Sequence, residues 1–312
     1  MPPARDPETL FAAARAGDRA ALGRLLSLVE RGGAPSRQVG RLVYADGQAD
    51  HVVGITGAPG AGKSTLTDRL IAQARTGGGL VGVLAIDPSS PYSRGAILGD
   101  RIRMQGHALD EGVFIRSMAT RGHLGGLALA APEALRTLAA CGYPLVLLET
   151  VGVGQVEVEV AGTADTTVVV VNPGWGDAIQ AAKAGLLEIA DVFAVNKADR
   201  PGAEETRRDL ENMLDMSMTM GEWRPPVVLC SAAAGDGTDT LWQSILDHRA
   251  HLEQSGDLAR RRDQRALDEL QKVLVARIRA EVEEKADGRT SALLLQREID
   301  PYEAADRLLS ER

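Results

Sequence analysis

The sequence predicts an α/β protein built on a doubly wound, mostly parallel sheet. Between His51 and Leu252, short apolar runs alternate with helical segments of about ten to fifteen residues, the pattern of repeated βαβ units. The runs are apolar on both faces, as buried parallel strands are. In order they read HVVGIT, LVGVLAI, GVFIRS, PLVLLE, TTVVVV, DVFAV and PVVLC. A glycine-rich stretch between the first run and the helix LTDRLIAQA supports the same architecture.

Two helical segments flank this region. Residues 1–50 are predicted to form an N-terminal helical arm, because apolar side chains recur at helical spacing over residues 6–31. A second short helix is predicted after Pro35. The apolar positions at helical spacing over residues 6–31 are Leu10, Ala13, Ala21, Leu22, Leu25, Leu26 and Val29. The main domain is predicted to span residues 51–252.

Residues 253–312 are predicted to form a C-terminal helical extension without strands. Its last helix is expected to begin near Asp300-Pro301, where the aspartate can cap and the proline fits the first turn. One face of a long, otherwise charged helix carries an apolar stripe, which consists of Leu267, Leu270, Leu274, Ile278 and Val282. This stripe fits either packing on the chain's own core or a homodimer contact, and the sequence leaves both open.

Composition excludes several classes of protein. Acidic residues outnumber basic ones, 43 to 35, for a net charge of −8, which argues against a nucleic-acid partner. No signal peptide and no run of eighteen apolar residues is present, so we expect neither secretion nor a membrane span. Cys141 and Cys230 are far apart in sequence, which is typical of a reduced, cytoplasmic chain.

The glycine-rich stretch has the form G-x-x-x-x-G-K-[ST], a phosphate-binding P-loop, between a predicted strand and a predicted helix. Its backbone N–H groups and the helix dipole favour a bound triphosphate. Lys63 is expected to bridge the β- and γ-phosphates, and the Ser64 hydroxyl to ligate Mg²⁺. The predicted nucleotide-binding residues here are Gly57, Ala58, Pro59, Gly60, Ala61, Gly62, Lys63, Ser64 and Thr65.

A second motif selects the base. The run DVFAV ends in Asn196-Lys197-Ala198-Asp199, an N-K-x-D sequence, and the next run leads into Ser231-Ala232-Ala233. Asp199 can accept hydrogen bonds from the guanine N1–H and 2-amino group, donors that adenine lacks there. Asn196 can reach the base or tie the loop to the P-loop, and the Lys197 stem can cover a ring face. A backbone N–H of Ser231-Ala232-Ala233 can meet the guanine O6. The sequence therefore predicts GTP and GDP as ligands.

Acidic residues at two predicted strand ends indicate a metal and γ-phosphate site. Asp87 ends one strand, and Glu149-Thr-Val-Gly152 resembles a D-x-x-G element with glutamate in place of aspartate. Glu149 is expected to reach Mg²⁺ through water, and the Gly152 N–H to sense the γ-phosphate. Asp100 is a further candidate ligand. Lys183, after the glycine-rich stretch Asn172 to Asp177, could supply a positive charge to the transition state, although a solvated lysine fits equally well.

Taken together, these motifs resemble the MeaB/ArgK/MMAA family of P-loop GTPases, in the SIMIBI class, over nearly the whole chain. The most specific segments are GITGAPGAGKST, LAIDPSSPYSRGAILGDRIRM, FIRSMATRGHLGGLA, VLLETVGVGQVEVEVA and AVNKAD. The segment Asn172 to Lys183 departs from the usual family sequence at Asn172, Trp175 and the alanine-rich run from Ala178, although the Pro-Gly-x-Gly-Asp frame and the lysine, Lys183, remain. That departure bears on the identity of the partner.

The resemblance implies a dimeric, Mg²⁺-dependent GTPase chaperone. Such a protein gates adenosylcobalamin delivery to a B12-dependent acyl-CoA mutase of the methylmalonyl-CoA mutase type, and protects or reactivates that mutase. The resemblance also allows the cobalamin adenosyltransferase as a second partner. By motif, Lys63, Asp100, Glu149 and Lys183 belong to catalysis, and Ser64, Asp87, Asp100 and Glu149 to the metal site. Three alternatives stay open from the sequence: a metal-inserting GTPase of the nickel-enzyme maturation type, a kinase for a periplasmic amino-acid-binding protein, and a non-catalytic nucleotide-binding scaffold.

Overall fold

The structure is a computed structural model that describes residues 6–87, 105–107, 109–119, 126–150, 162–174, 188–216, 223–285 and 288–310. The chain divides into two compact units, Met1–Asp263 and Gln264–Arg312. The division at 50 and 252 that the sequence suggests stays a prediction.

One parallel sheet forms the centre of the first unit. Over the described ranges it has seven strands, in the order β3-β2-β4-β1-β5-β6-β7. The strands are β1 (His51–Gly57), β2 (Val81–Asp87), β3 (Val113–Ala119), β4 (Leu145–Thr150), β5 (Thr166–Val171), β6 (Val192–Val195) and β7 (Val227–Leu229). Each of the seven apolar runs in the sequence overlaps one of these strands, which confirms the predicted fold class.

Strand β1 lies in the middle of the sheet, paired with β4 on one side and β5 on the other. Val53 is in register with Leu147 and with Thr166. The chain runs from β1 toward one edge of the sheet and from the neighbouring β5 toward the other. A crevice is therefore expected at the carboxyl ends of β1 and β5, where open α/β sheets bind ligands. All six strand pairings among the described strands are parallel.

Helices cover both faces of the sheet, and alternate strand residues face opposite ways, so the described buried residues form three core clusters, one of them between β5, β6 and the helix Ala203–Met216. Leu84 and Leu148 belong to one core, together with buried residues of the helix Gly126–Ala140, here α5. Val83 and Leu147 belong to the opposite core. The described part of this domain also contains the α-helices α4 (Lys63–Thr76), α6 (Ala203–Met216) and α7 (Thr238–Ser255) and a short 3-10 helix at Gln105–His107.

The N-terminal arm consists of three helices, α1 (Pro7–Arg15), α2 (Arg19–Arg31) and α3 (Gly33–Val43). The apolar spacing over residues 6–31 therefore runs through two helices, α1 and α2, and does not mark the break between them. The chain breaks at Gly17, whose φ of +96° is a left-handed conformation that favours glycine. Asp18 then caps α2, since its carboxylate accepts hydrogen bonds from the N–H groups of Ala20 and Ala21.

The arm packs against β3 and α5 through buried apolar residues and a few polar contacts. Leu22, Leu25 and Leu26 are buried in the same core as the Leu84 side of the sheet. Arg116, on the edge strand β3, forms an ion pair of 2.9 Å with Glu30. These contacts place the arm and the sheet in one compact unit.

A long helix, α8 (Asp257–Lys285), begins in the first unit, and most of it lies in the second. Helices α9 (Gly288–Leu295) and α10 (Pro301–Ser310) follow. As the sequence predicts, Asp300 caps α10, because its carboxylate accepts from the N–H groups of Tyr302 and Glu303. None of the helices in the described ranges is both long and apolar enough to span a membrane.

A buried polar chain lies at the amino ends of β1 and β5. His51 shares a hydrogen bond of 2.8 Å with the hydroxyl of Thr166, which shares another of 2.9 Å with the ring of His248. The other ring nitrogen of His248 lies 3.2 Å from Asp191. Arg261, in the first turns of α8, also pairs with Asp191 at 3.1 Å. The beginning of α8 is therefore fixed to the sheet.

Acid is expected to destabilise the fold through His51. Burial lowers the pKa of His51 from 6.5 to about 4, an effect that the charges of Arg249, His248 and Arg262 reinforce and that of Asp165 opposes. The unfolded chain therefore binds a proton near pH 6.5, before the folded chain does. The free energy of unfolding should therefore decrease as pH falls from about 6.5 toward 4, and the decrease between pH 7 and pH 5 should be about 2 kcal/mol.

Urea titrations at pH 7 and pH 5 would measure this loss as a change in the free energy of unfolding. A His51→Gln variant keeps a hydrogen-bonding side chain but cannot titrate, so its loss over the same interval should be smaller by about 2 kcal/mol. Equal losses in the variant and the parent protein would contradict the assignment to His51.

Candidate nucleotide-binding site

The carboxyl edge of the sheet brings the predicted motifs together. β1 ends at Gly57, where the P-loop begins, and the neighbouring strand β4 ends at Glu149-Thr150. On the other side β5 ends beside Asn172, and β6 leads into Asn196. Within the described ranges, the segments that the sequence assigns to phosphate, metal and base therefore share one edge of the sheet.

The P-loop needs glycine at two positions for steric reasons. A Cβ on Gly57 would lie 2.1 Å from the carbonyl oxygen of Val170, and one on Gly62 would lie 2.3 Å from the amide nitrogen of Asn196. Both residues also have positive φ, +134° and +92°. The P-loop is therefore in close contact with β5 and with Asn196, the first residue of the N-K-x-D motif.

Lys63 is the first residue of α4, and only 6% of it is exposed. Its ammonium group donates to the carbonyl oxygens of Gly57 and Ala58, at 2.6 Å and 3.0 Å. The side chain thus folds back along the loop that precedes its own helix. A buried positive charge at a helix N-terminus is suited to bind phosphate oxygens.

The Ser64 hydroxyl donates to the Glu149 carboxylate over 2.6 Å, and both residues are buried. The structure therefore brings together two of the predicted metal ligands from elements 85 residues apart in sequence. Asp87 ends β2, the strand next to β4, one position beyond the pair Ile86 and Thr150. Asp100, Gly152 and Lys183 lie outside the described residues, as does the Asp87 side chain.

Asn196 joins the P-loop to the loop after β7. Its amide nitrogen donates to the carbonyl oxygen of Ala61 at 2.8 Å. Its amide oxygen accepts from the N–H of Ala232 at 3.0 Å. Of the two roles that the sequence allowed for Asn196, these contacts correspond to the tie between loops. The P-loop, the N-K-x-D motif and the loop after β7 are therefore joined by the hydrogen bonds of one side chain.

The other residues of the N-K-x-D motif also take defined positions. Lys197 has a positive φ of 61°, and its ammonium group donates to the carbonyl oxygen of Gly60 at 2.5 Å. Asp199 is exposed and accepts a hydrogen bond of 2.7 Å from the Ser231 hydroxyl. That hydrogen bond holds the pKa of Asp199 below its usual value, with smaller contributions from a backbone N–H and from Arg200 and Lys197. Asp199 is thus an ionised acceptor at neutral pH.

Sequence reasoning missed two contacts with these loops. Arg69, on α4, donates to the carbonyl oxygens of Ala232 and Ala233. The amide nitrogen of Asn172 lies 3.5 Å from the carbonyl oxygen of Gly60, at the start of the segment that departs from the family wording. Arg69 belongs to no motif with fixed spacing, and the glycine-rich stretch that begins at Asn172 does not indicate which residue its amide contacts.

A parallel α/β sheet with a P-loop at its central strand, joined to an N-K-x-D motif, defines a P-loop nucleotide-binding protein of the GTPase type. Comparison with known proteins identifies the family. The model of the family described as methylmalonyl Co-A mutase-associated GTPase MeaB matches residues 22–287. The chain belongs to the MeaB family.

Related proteins agree with this assignment. A protein of Pyrococcus abyssi, which its name places among the GTPases, is 49% identical over 302 residues, which are 95% of this chain and 93% of that protein. GTPase ArgK of Escherichia coli is 38% identical over 83% of this chain and 80% of its own. The mouse mitochondrial methylmalonic aciduria type A homolog is 37% identical over 67% of this chain and 52% of its own.

Among solved structures, the chain is similar to a crystal structure described as a LAO/AO transport system kinase. The TM-score is 0.72 with 27% sequence identity, and the match covers 97% of this chain and 96% of that one. The shared fold thus extends over almost the full length of both chains.

Proposed function

We propose that this protein is a GTP-hydrolysing chaperone that gates adenosylcobalamin delivery to a B12-dependent acyl-CoA mutase and protects or reactivates that enzyme. The observation that carries the GTPase part is the double contact of Asn196 with the P-loop and with the loop after β7. This contact joins a phosphate-binding segment to a guanine-reading segment. The mutase part is supported by the family description and by the name of the mouse relative.

In this proposal the P-loop and Lys63 bind the triphosphate. The backbone N–H groups at the start of α4 face the phosphates, and the Lys63 ammonium, buried beside the loop, balances their charge. Positive charge at this place stabilises the negative charge that spreads over the γ-phosphoryl oxygens in the transition state. Asp199 reads the guanine N1–H and 2-amino group, and the loop at Ser231-Ala232-Ala233 reads O6.

The residues present also fit Mg²⁺. The Ser64 hydroxyl and Glu149 carboxylate are hard oxygen donors of the kind that Mg²⁺ prefers, and they already lie within 2.6 Å of each other. Asp87 and Asp100 would complete the set. When bound, Mg²⁺ would neutralise charge on the β- and γ-phosphates. Because Glu149 is one CH₂ longer than aspartate, it can hold the serine hydroxyl across the gap between β4 and α4.

Turnover of GTP with and without a mutase would test the proposed function. We expect slow hydrolysis by the protein alone, strict preference for GTP over ATP, and acceleration by an adenosylcobalamin-dependent acyl-CoA mutase. Lys183→Ala should remove most of that acceleration and leave slow hydrolysis unchanged if Lys183 acts on the transition state. Equal rates with and without every such mutase would contradict the chaperone role, and hydrolysis of ATP at the rate of GTP would contradict the GTPase assignment.

We also propose that the protein is a homodimer that acts in the cytoplasm. On α8 an apolar stripe is largely exposed, with 56%, 53% and 50% of Leu267, Leu270 and Leu274 accessible to solvent. Contiguous exposed apolar side chains are typical of a protein–protein contact. Among the described residues both cysteines are free thiols, and burial raises the pKa of Cys141 to about 11 and of Cys230 to about 12. Inert thiols of this kind suit a reducing compartment.

A double variant, Leu270→Glu with Leu274→Glu, is expected to convert the dimer to monomers. Each substitution would place a carboxylate in an apolar contact, where an unpaired charge is costly. Analytical ultracentrifugation would measure the mass, and GDP affinity should be retained. Lys272→Glu changes the charge of the same helix on a different face and should leave the dimer intact. A monomeric parent protein, or a dimeric double variant, would contradict the proposal.

A further inference from the structure

Arg69 connects the helix that follows the P-loop to the loop that follows β7. It lies on α4, six residues after Lys63. Its guanidinium donates through Nε to the carbonyl oxygen of Ala232 and through Nη2 to that of Ala233, both at 2.9 Å. A guanidinium is a planar fork whose donors suit two acceptors at once. Two successive carbonyl groups of the loop are therefore fixed by one side chain.

The loop itself is tightly closed. The N–H of Ser231 donates to the carbonyl oxygen of Asp236, and the N–H of Gly235 donates back to that of Ser231, at 2.9 Å and 2.7 Å. At Gly237, φ is +68°, and an added Cβ would lie 2.2 Å from the carbonyl oxygen of Leu229. Because its internal shape is fixed in this way, the loop is expected to move as one piece. Its placement relative to the nucleotide then depends on what holds it from outside.

Besides the contact of Ser231 with Asp199, two side chains hold the loop at Ala232. The N–H of Ala232 donates to the Asn196 amide oxygen at 3.0 Å, and the carbonyl of Ala232 accepts from Arg69. In a planar trans peptide the carbonyl and the following N–H point in opposite directions. By holding the Ala232 carbonyl toward α4, Arg69 also sets the direction of the Ala233 N–H.

We propose that Arg69 is a positioning residue for guanine selectivity. It holds the loop so that a backbone N–H meets the O6 of guanine, and it makes that position depend on the same helix that binds the phosphates. Adenine carries an amino group at the corresponding carbon, so a fixed N–H would face a donor and leave both unpaired. This inference rests on the proposed guanine binding and adds a residue outside the recognised motifs.

The test compares Arg69→Met with Arg75→Met. Arg75 lies on the same helix and also makes a two-pronged contact, with Asp110 at 2.8 Å and 2.9 Å, but not with the base loop. The ligands are GDP and 6-thio-GDP, which keeps the N1–H and 2-amino group and replaces only O6 by sulfur. Dissociation constants would be measured by isothermal titration calorimetry, and folding by circular dichroism.

Arg69→Met should raise the dissociation constant of GDP about five- to tenfold, which corresponds to the loss of one hydrogen bond. It should raise that of 6-thio-GDP about twofold or less. Arg75→Met should change neither by more than about twofold. Equal weakening of both ligands by Arg69→Met, or no weakening of GDP, would overturn the assignment. If Arg69→Met does not fold, the binding of GDP and of 6-thio-GDP would be compared for Arg69→Lys, which keeps the charge but only one donor group. If the parent protein itself did not prefer GDP to ADP, the guanine assignment would fail, whatever Arg69 does.

Discussion

An Asp199→Asn variant is expected to lose at least about a hundredfold in GDP affinity and to gain affinity for xanthosine diphosphate. The Asp199 carboxylate, kept ionised by the Ser231 hydroxyl, has acceptors for both the N1–H and the 2-amino group of guanine. An asparagine keeps one acceptor but turns an N–H₂ toward the 2-amino group. Xanthine has a carbonyl there, which accepts from that N–H₂. Buried donors that face each other cost more than a lost contact.

Isothermal titration with GDP, xanthosine diphosphate and ADP would measure the exchange of specificity. Asp239→Asn is a suitable control, because Asp239 is an exposed carboxylate in the first turn of α7, near the same loop. That variant should keep the parent preference for GDP. A loss of GDP affinity by Asp199→Asn without any gain for xanthosine diphosphate would show damage to the loop and contradict base reading by Asp199.

The sheet could be predicted from the sequence because parallel strands are buried on both faces. A run such as TTVVVV has no helical alternative at that length, and it corresponds to β5 residue for residue. The arm was harder, because the apolar spacing over residues 6–31 continues through the break between α1 and α2. There the decisive features are local, the positive φ of Gly17 and the cap formed by Asp18. Periodicity in apolar side chains reports which face is buried and does not report where a helix is interrupted.

The candidate site was predictable where a motif fixes both residue type and position along the chain. The P-loop and the N-K-x-D segment are of this kind. The motifs predicted that Ser64 and Glu149, which are 85 residues apart, share a metal site, but not that the serine hydroxyl donates directly to the carboxylate. The contact of Arg69 with Ala232, 163 residues away, was not predictable, because nothing in the spacing indicates that these two residues meet. The roles of Asp100, Gly152 and Lys183 stay predictions based on motif position.

The second large effect is expected at Lys63. A Lys63→Met variant should hydrolyse GTP at least about a hundredfold more slowly, because a preorganised donor in a buried site stabilises transition-state charge far better than water does. The same variant should lose affinity in the order GTP, GDP, GMP, with the largest loss for GTP, since the ammonium is predicted to contact the β- and γ-phosphates. Lys63→Arg keeps the charge but cannot fit the place of a compact ammonium that now donates to Gly57 and Ala58.

Single-turnover hydrolysis and titrations with the three guanine nucleotides would measure both effects. Because GMP contains the base and only the α-phosphate, its binding reports the base site with little contribution from Lys63. A uniform loss for all three nucleotides would therefore indicate collapse of the P-loop onto Asn196, which touches it through Ala61. A loss that grows with the number of phosphates requires a charge beside the outer phosphates. If Lys63→Arg hydrolysed GTP at the parent rate, charge alone would suffice and the compact geometry of the lysine would have no catalytic role.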